Sequence, residues 1–219
     1  MALATQLQNT MDGFSQKAPP HILDPINQTR SDHAASFDPK SAIQQGAKLP
    51  SFSLSDAHGK NVTSDSLLSK GPILITFYRG GWCPFCSLAL RDLQKHHDEF
   101  KAKGVTLVAI SPLLPDESLS TVEKNELKFV VLSDVHNAFA RQLGIVWKQP
   151  DSLRPVFKDL GHDLKTWNGD DSFEVPIPAT LLVDGKGTVR NLYLDTDYTK
   201  RFETKEALKW TTTSPLFEI

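Results

Sequence analysis

The chain reads as one α/β domain on a central sheet of mixed direction flanked by helices. Three observations predict this. Apolar and β-branched runs at 72–78, 105–110 and 128–132 alternate with segments of helical period, the pattern of strands joined by helical crossovers. Later, Pro178 to Val183 and Thr188 to Leu194 are separated only by Asp184-Gly185-Lys186-Gly187, a hairpin turn that makes the last pair antiparallel. The length of 219 residues suits one well-buried domain with additions and is short for two.

Taken in order, residues 1–45 form an N-terminal arm. Leu3, Leu7, Met11 and Phe14 recur at helical spacing and predict a short amphipathic helix. Pro19-Pro20 and Asp24-Pro25 then break the chain, and 15–45, rich in Ser, Asp, Gln and Pro, reads as an arm lying over a neighbour or over the domain, with no catalytic pattern. The domain proper takes 46–219. Phe52-Ser53-Leu54 alternates like a short strand, Ala57 to Lys60 turns into Asn61-Val62-Thr63, and Ser64 to Leu68 starts a single helical turn. Strand 72–78 leads to a helix over 86–102, with Leu90, Leu93, His97 and Phe100 on its period and Gly104 closing it. Pro115-Asp116-Glu117 opens the next helix with acidic residues where the helix dipole prefers them, and Val135 to Leu143 forms a short one. The segment 144–177 departs from the alternation and reads as an insertion near the active site. It holds Trp147, a helical pattern from Pro150 to Leu160, and a polar loop from Trp167 to Asp171. A last helix is expected over 198–210, with Phe202, Leu208 and Trp210 as its apolar members.

Composition narrows the function classes. With 39% hydrophobic and 23% charged residues the chain is an ordinary globular sequence, and a net charge of −2 with no basic stripe argues against nucleic acid as a partner. No apolar run approaches the ~20 residues that cross a bilayer, and Met1 to Phe14 lacks the basic and apolar regions of a secretory signal. The expectation is a cytoplasmic protein that uses no cofactor and no metal.

Chemistry concentrates in Phe77-Tyr78-Arg79-Gly80-Gly81-Trp82-Cys83-Pro84-Phe85-Cys86, which holds both cysteines of the chain. Strand, glycine turn and helix place two thiols at a helix N-terminus, where free N–H groups and the dipole favour thiolate; such sites lower a thiol pKa from ~8.5 to roughly 3.5–7.5. A structural disulfide closing so small a ring adds little stability. A zinc site lacks its other ligands, and Gly80, Gly81 and Pro84 mark an irregular turn instead of an inert core face. Redox chemistry is the reading that remains.

Leu49 to Leu54, Phe77 to Cys86, Ala109 to Pro112, Leu132-Ser133-Asp134 and Pro178 to Arg190 together resemble the peroxiredoxin-like (AhpC/TSA-type) branch of the thioredoxin superfamily, over about residues 46–210. The resemblance implies a thioredoxin-like fold. It also implies a thiol–disulfide oxidoreductase or thiol peroxidase that reduces a hydroperoxide or disulfide through Cys83 and Cys86. A thiol reductant, thioredoxin or glutathione, would reopen the disulfide; a homodimer is compatible with this. Aligned as a thioredoxin, Cys83 attacks and Cys86 resolves; aligned as a peroxiredoxin, Cys86 takes the attacking position and Cys83 replaces a threonine. Arg79 stands where the peroxiredoxin pattern has proline. Pro178 falls where those proteins carry the arginine that polarises peroxide, and it also resembles the cis-proline of thioredoxins. Pro84 at the first helical position makes Cys83 the cap residue, expected to be the more exposed, lower-pKa thiol toward a disulfide; for peroxide both assignments stay open. Arg79 is the candidate for stabilising charge on a departing oxygen. Trp82 is expected to shield the site, and Trp147 and Trp167, with Phe157, to line a pocket over the cysteines. A second reading keeps the fold but makes the chain an accessory binding protein, or an enzyme acting on a bulky metabolite under 144–177.

Overall fold

The computed structural model describes residues 1–213; residues 214–219, which the sequence assigns to the same domain, lie outside them. Two helices lead the chain, α1 (Leu3–Lys17) and α2 (Pro20–Ser36). Then follow β1 (Ser53–Asp56), β2 (Asn61–Thr63), α3 (Ser64–Leu68), β3 (Ile73–Phe77), α4 (Pro84–Lys95), α5 (His97–Ala102), β4 (Thr106–Ser111) and α6 (Pro115–Asn125). The chain continues with β5 (Val130–Ser133), α7 (Ala138–Gln142), β6 (Val146–Lys148), α8 (Arg154–Asp159), α9 (Leu164–Asn168), β7 (Glu174–Pro176), β8 (Ala179–Val183), β9 (Val189–Leu194) and α10 (Thr204–Thr213). Seven strands make one sheet in the order β2-β1-β5-β4-β3-β8-β9, while β6 and β7 pair separately. Strands β3, β4 and β5 run parallel, and β1, β8 and β9 join antiparallel. The sheet is therefore mixed, as the hairpin signal predicts. No helix among the described residues is long and apolar enough to cross a membrane.

β3 is buried along its whole length because both faces of the sheet are covered, which is why its sequence is apolar without alternation. The alternation reappears as a division between two cores. Leu74 and Tyr78 face one layer with Leu107, Ala109, Leu182, Leu90 and Phe100. Ile73, Ile75 and Phe77 face the other with Val108, Ile110, Leu132 and Phe139. Each such buried side chain contributes about 1.5–3 kcal/mol.

The leading helices are built into these layers. Leu3 and Leu7 of α1 are buried in the first core with Leu90 and Leu93 of α4. α2 differs from expectation, because Pro25 lies inside it instead of ending it. Proline removes one N–H, but the carbonyl it orphans belongs to exposed His21, where water can reach it. Ile22, Ile26, Thr29 and His33 form one buried stripe on α2, and a third core joins that stripe to Leu153, Val156, Phe157 and Phe173 of the 144–177 segment.

Two further boundaries differ. The helix expected over 86–102 divides at His96, whose bridge-region conformation (φ −104°, ψ 8°) directs its N–H to Leu93 and its carbonyl to the N–H groups of Glu99 and Phe100. The last helix begins at Thr204, not 198. Upstream, Asp195 accepts the N–H of Asp197 at 2.8 Å, and Asp197 accepts the N–H of Thr199 at 3.1 Å and its hydroxyl at 2.7 Å. Such side-chain turns compete with helix formation. Asp197 also holds Arg30 of α2 at 2.8 Å, which ties this loop to the N-terminal helices. Asp197→Ala is expected to cost about 1–3 kcal/mol in urea unfolding, since it strands the Thr199 N–H and a half-buried guanidinium. An unchanged midpoint would mean that the loop is held elsewhere.

Candidate active site

The turn from β3 into α4 fits because two positions carry no side chain. Gly80 has a positive φ of 154° and a Cβ there would collide with the Trp82 indole, while one on Gly81 would collide with Thr121 Oγ1. Cys83 caps α4, Pro84 is its first residue, and the N–H groups of Cys86 and Ser87 both reach the Cys83 carbonyl at 3.1 Å. Both cysteines are free thiols, and both are buried, Cys83 being 1% and Cys86 0% exposed.

The sulfurs have unequal surroundings. Arg201 donates from Nη2 to Cys86 Sγ at 3.0 Å, and its other nitrogen is anchored on the carbonyls of Tyr198 and Lys200. Burial alone would push the Cys86 thiol up. The hydrogen bond from Cys83, the Arg201 charge, the Arg79 backbone N–H and the Arg79 charge together hold it well below the ordinary thiol range. Cys83 goes the other way: burial, the hydrogen bond it gives to Cys86 and the charge on Cys86 raise it well above that range, against Arg79 and Arg201. Both thiols are buried and a cavity reaches Cys83, but the surroundings favour the proton on Cys83, opposite to the lower pKa expected for it. Cys83 makes no side-chain cap bond, and the helix N-terminus is roofed by other elements. Cys86, in the first turn, receives the donors instead.

Linkage gives a sign to this. A thiol whose folded pKa lies below its unfolded value, near ~8.5, contributes stability that is fully present above that value and lost as pH falls through the folded pKa. The stability difference between the reduced wild type and Cys86→Ser, from urea unfolding, should therefore grow as pH rises toward about 8.5. A flat difference would deny the thiolate.

A cavity of about 250 Å³ opens over Cys83. Arg79, Trp82 and Trp147 line it with Phe157, Tyr198 and Gln149. Arg79 is 3% exposed, so it is not a surface arginine; it donates from Nη2 to Gln149 Oε1 at 2.8 Å, and its guanidinium lies 4.0 Å from the Tyr198 ring centre and 4.8 Å from that of Trp82. Trp82 meets Phe157 edge-on at 5.4 Å, and Trp147 stacks on His33 at 4.3 Å. Burial, with the Arg79 charge, lowers the pKa of His162 at the cavity edge, and burial brings that of His33 to about 4. Trp167 is not in this cavity; it lines a neighbouring hollow across Trp82, with Lys124 and Glu117. Pro178 is buried at the start of β8 and does not line the cavity either. No peptide bond among the described residues is cis, so Pro178 is not a cis-proline.

Sequence reasoning missed Arg201, Tyr198 and Gln149, and the helix faces that supply Thr10, Met11 and Phe14 from α1 and Ile26, Thr29 and Arg30 from α2. Only the helix faces carried a signal, the Leu3-Leu7-Met11-Phe14 and Ile22-Ile26-Thr29-His33 spacings.

Comparison with known proteins agrees with this geometry. Residues 45–192 match the model of the AhpC/TSA family. Peroxiredoxin Q from Gentiana triflora is 28% identical over 103 residues, 47% of this chain and 47% of that protein, so the chain spans about half of that relative's length. Peroxiredoxin Bcp of Escherichia coli is 28% identical over 118 residues, 54% of this chain and 74% of that protein. Among solved structures, peroxidoxin BcpB from Mycobacterium tuberculosis superposes with a TM-score of 0.60 at 20% identity, covering 78% of this chain and 97% of that one. Reduced Prx3 from Vibrio vulnificus, in complex with H2O2, gives 0.61 at 20% identity, covering 77% and 99%. These structures share the thioredoxin-like architecture. With the family match spanning the sheet from before β1 into β9, and the Cys-x-x-Cys turn inside it, the chain belongs to the AhpC/TSA family.

Proposed function

We propose that the chain is a thiol peroxidase in which Cys86 attacks and Cys83 resolves. The observation that carries this is the hydrogen bond from Arg201 Nη2 to Cys86 Sγ at 3.0 Å. The thiolate of Cys86 attacks one peroxide oxygen; the O–O bond breaks, an S–OH forms, and the departing alkoxide or hydroxide takes a proton. Arg201 supplies donors where negative charge moves from sulfur to the leaving oxygen. Cys83 then displaces hydroxide from the sulfenic acid, water leaves, and the Cys83–Cys86 disulfide forms.

Reduction uses the same asymmetry. The cavity reaches Cys83 and not Cys86. A thiol reductant such as thioredoxin or glutathione attacks Cys83, and Cys86 leaves as the stabilised thiolate, the faster leaving group. Arg79, Trp82 and Trp147 form the binding wall, whereas Trp167 lines the neighbouring hollow and Pro178 lies outside the cavity. The Bcp and peroxiredoxin Q relatives support a peroxide substrate and a thiol reductant.

Mass spectrometry of the reduced protein after one equivalent of peroxide tests the proposal. A loss of two hydrogens across the peptide containing Cys83 and Cys86 is expected. An unmodified pair beside unconsumed peroxide would refute it.

A further inference from the structure

The cavity over Cys83 is more elaborate than hydrogen peroxide requires. Its roof comes from α1 and α2, which precede the matched family region, and its wall from the 144–177 segment. Aromatic rings dominate the lining: Phe14, Trp82, Phe85, Trp147, Phe157 and Tyr198. Flat apolar walls of this kind favour a ring over a flexible chain, because ring–ring contacts add orientation to simple burial.

Two polar side chains deep in the cavity, Arg79 and Gln149, each keep a donor without an acceptor. Arg79 is 3% exposed and makes no ion pair among the described residues, and its Nε–H has no partner. Gln149 is fully buried; the bond from Arg79 occupies its carbonyl, and its Nε2 amide has no partner. The second cation of the lining, Arg30, is already paired with Asp197. No acidic side chain among the described residues lines the cavity. Buried donors are costly when unmatched, and an acceptor bearing negative charge satisfies them together.

We infer that this cavity binds a ring-bearing organic anion, its carboxylate on Arg79 and Gln149 and its ring among Phe14, Trp147 and Phe157. This goes beyond the peroxidase proposal by naming a ligand class for the cavity over Cys83, and it does not rest on which cysteine meets the peroxide. The binding itself requires no turnover.

Calorimetric titration of the reduced full chain with 2-naphthoate, 2-naphthalenemethanol and decanoate tests the inference. Naphthoate should bind, and the neutral alcohol about tenfold or more weakly, the effect of one charge-assisted hydrogen bond. Arg79→Gln should remove that difference. If Arg79→Gln does not fold, Met11→Trp, which fills the cavity from α1, should abolish naphthoate binding; persistence would overturn the inference. Equal binding of acid and alcohol overturns the anion site, decanoate binding as tightly as naphthoate overturns the ring site, and no naphthoate binding overturns both. A chain that consumes peroxide but ignores naphthoate loses this inference and keeps the activity. One that binds naphthoate without consuming peroxide keeps the site and loses the activity.

Discussion

Cys86→Ser is expected to reduce peroxide consumption to the uncatalysed background. A serine hydroxyl beside Arg201 stays protonated at neutral pH and has no soft lone pair to break an O–O bond. Cys83 is a poor substitute, because burial still raises its thiol and its sulfur lacks the Arg201 hydrogen bond that Cys86 receives. Cys83→Ser should behave differently: one equivalent of peroxide is consumed, Cys86 stops at sulfenic acid, and excess peroxide drives it to sulfinic acid. Stopped-flow peroxide consumption with intact-mass analysis separates the two variants. Identical behaviour in both would refute the division of roles.

Arg201→Met should lower the second-order rate with peroxide by about 10²–10³ at neutral pH, the range for losing one donor aimed at developing charge. Part of that loss is ionisation. Without the Arg201 charge, burial again raises the Cys86 thiol, so the rate profile should move to higher pH, and raising the pH should restore some activity. A merely structural role would lower the rate equally at every pH. Arg79→Gln should move the same profile less, since the Arg79 side-chain charge is the weakest of the influences lowering Cys86.

The sequence carried the local parts of this site. Strand, glycine turn, Cys83, Pro84 and α4 are contiguous, so period and turn chemistry sufficed to place two thiols at a helix N-terminus. The mixed sheet was legible for the same reason: parallel crossovers and a four-residue hairpin leave local marks. What was not legible arrives from afar. Arg201 reaches Cys86 from 115 positions away, through a loop shaped by Asp195 and Asp197, and nothing in its neighbourhood distinguishes it from other basic residues. The Cys83 environment was misjudged because local helix geometry points it outward, while α1, α2 and the 144–177 segment close over it. Pro25 hid the apolar stripe of α2, since one proline outweighs a weak periodicity when the helix is judged without its packing partner. Trp147 and Trp167 looked equivalent in sequence, and only the path of the segment puts them on different sides of Trp82.

The central claim is that Cys86 holds the thiolate and Cys83 the proton. It is tested most directly by carbon-13 NMR of the reduced chain labelled at cysteine Cβ and titrated with pH, a measurement that does not depend on reagent access to buried sulfur. The account predicts that the Cys86 resonance titrates well below the ordinary thiol value of ~8.5 and that Cys83 remains protonated above it. The reverse order would contradict the account and return the attacking role to Cys83.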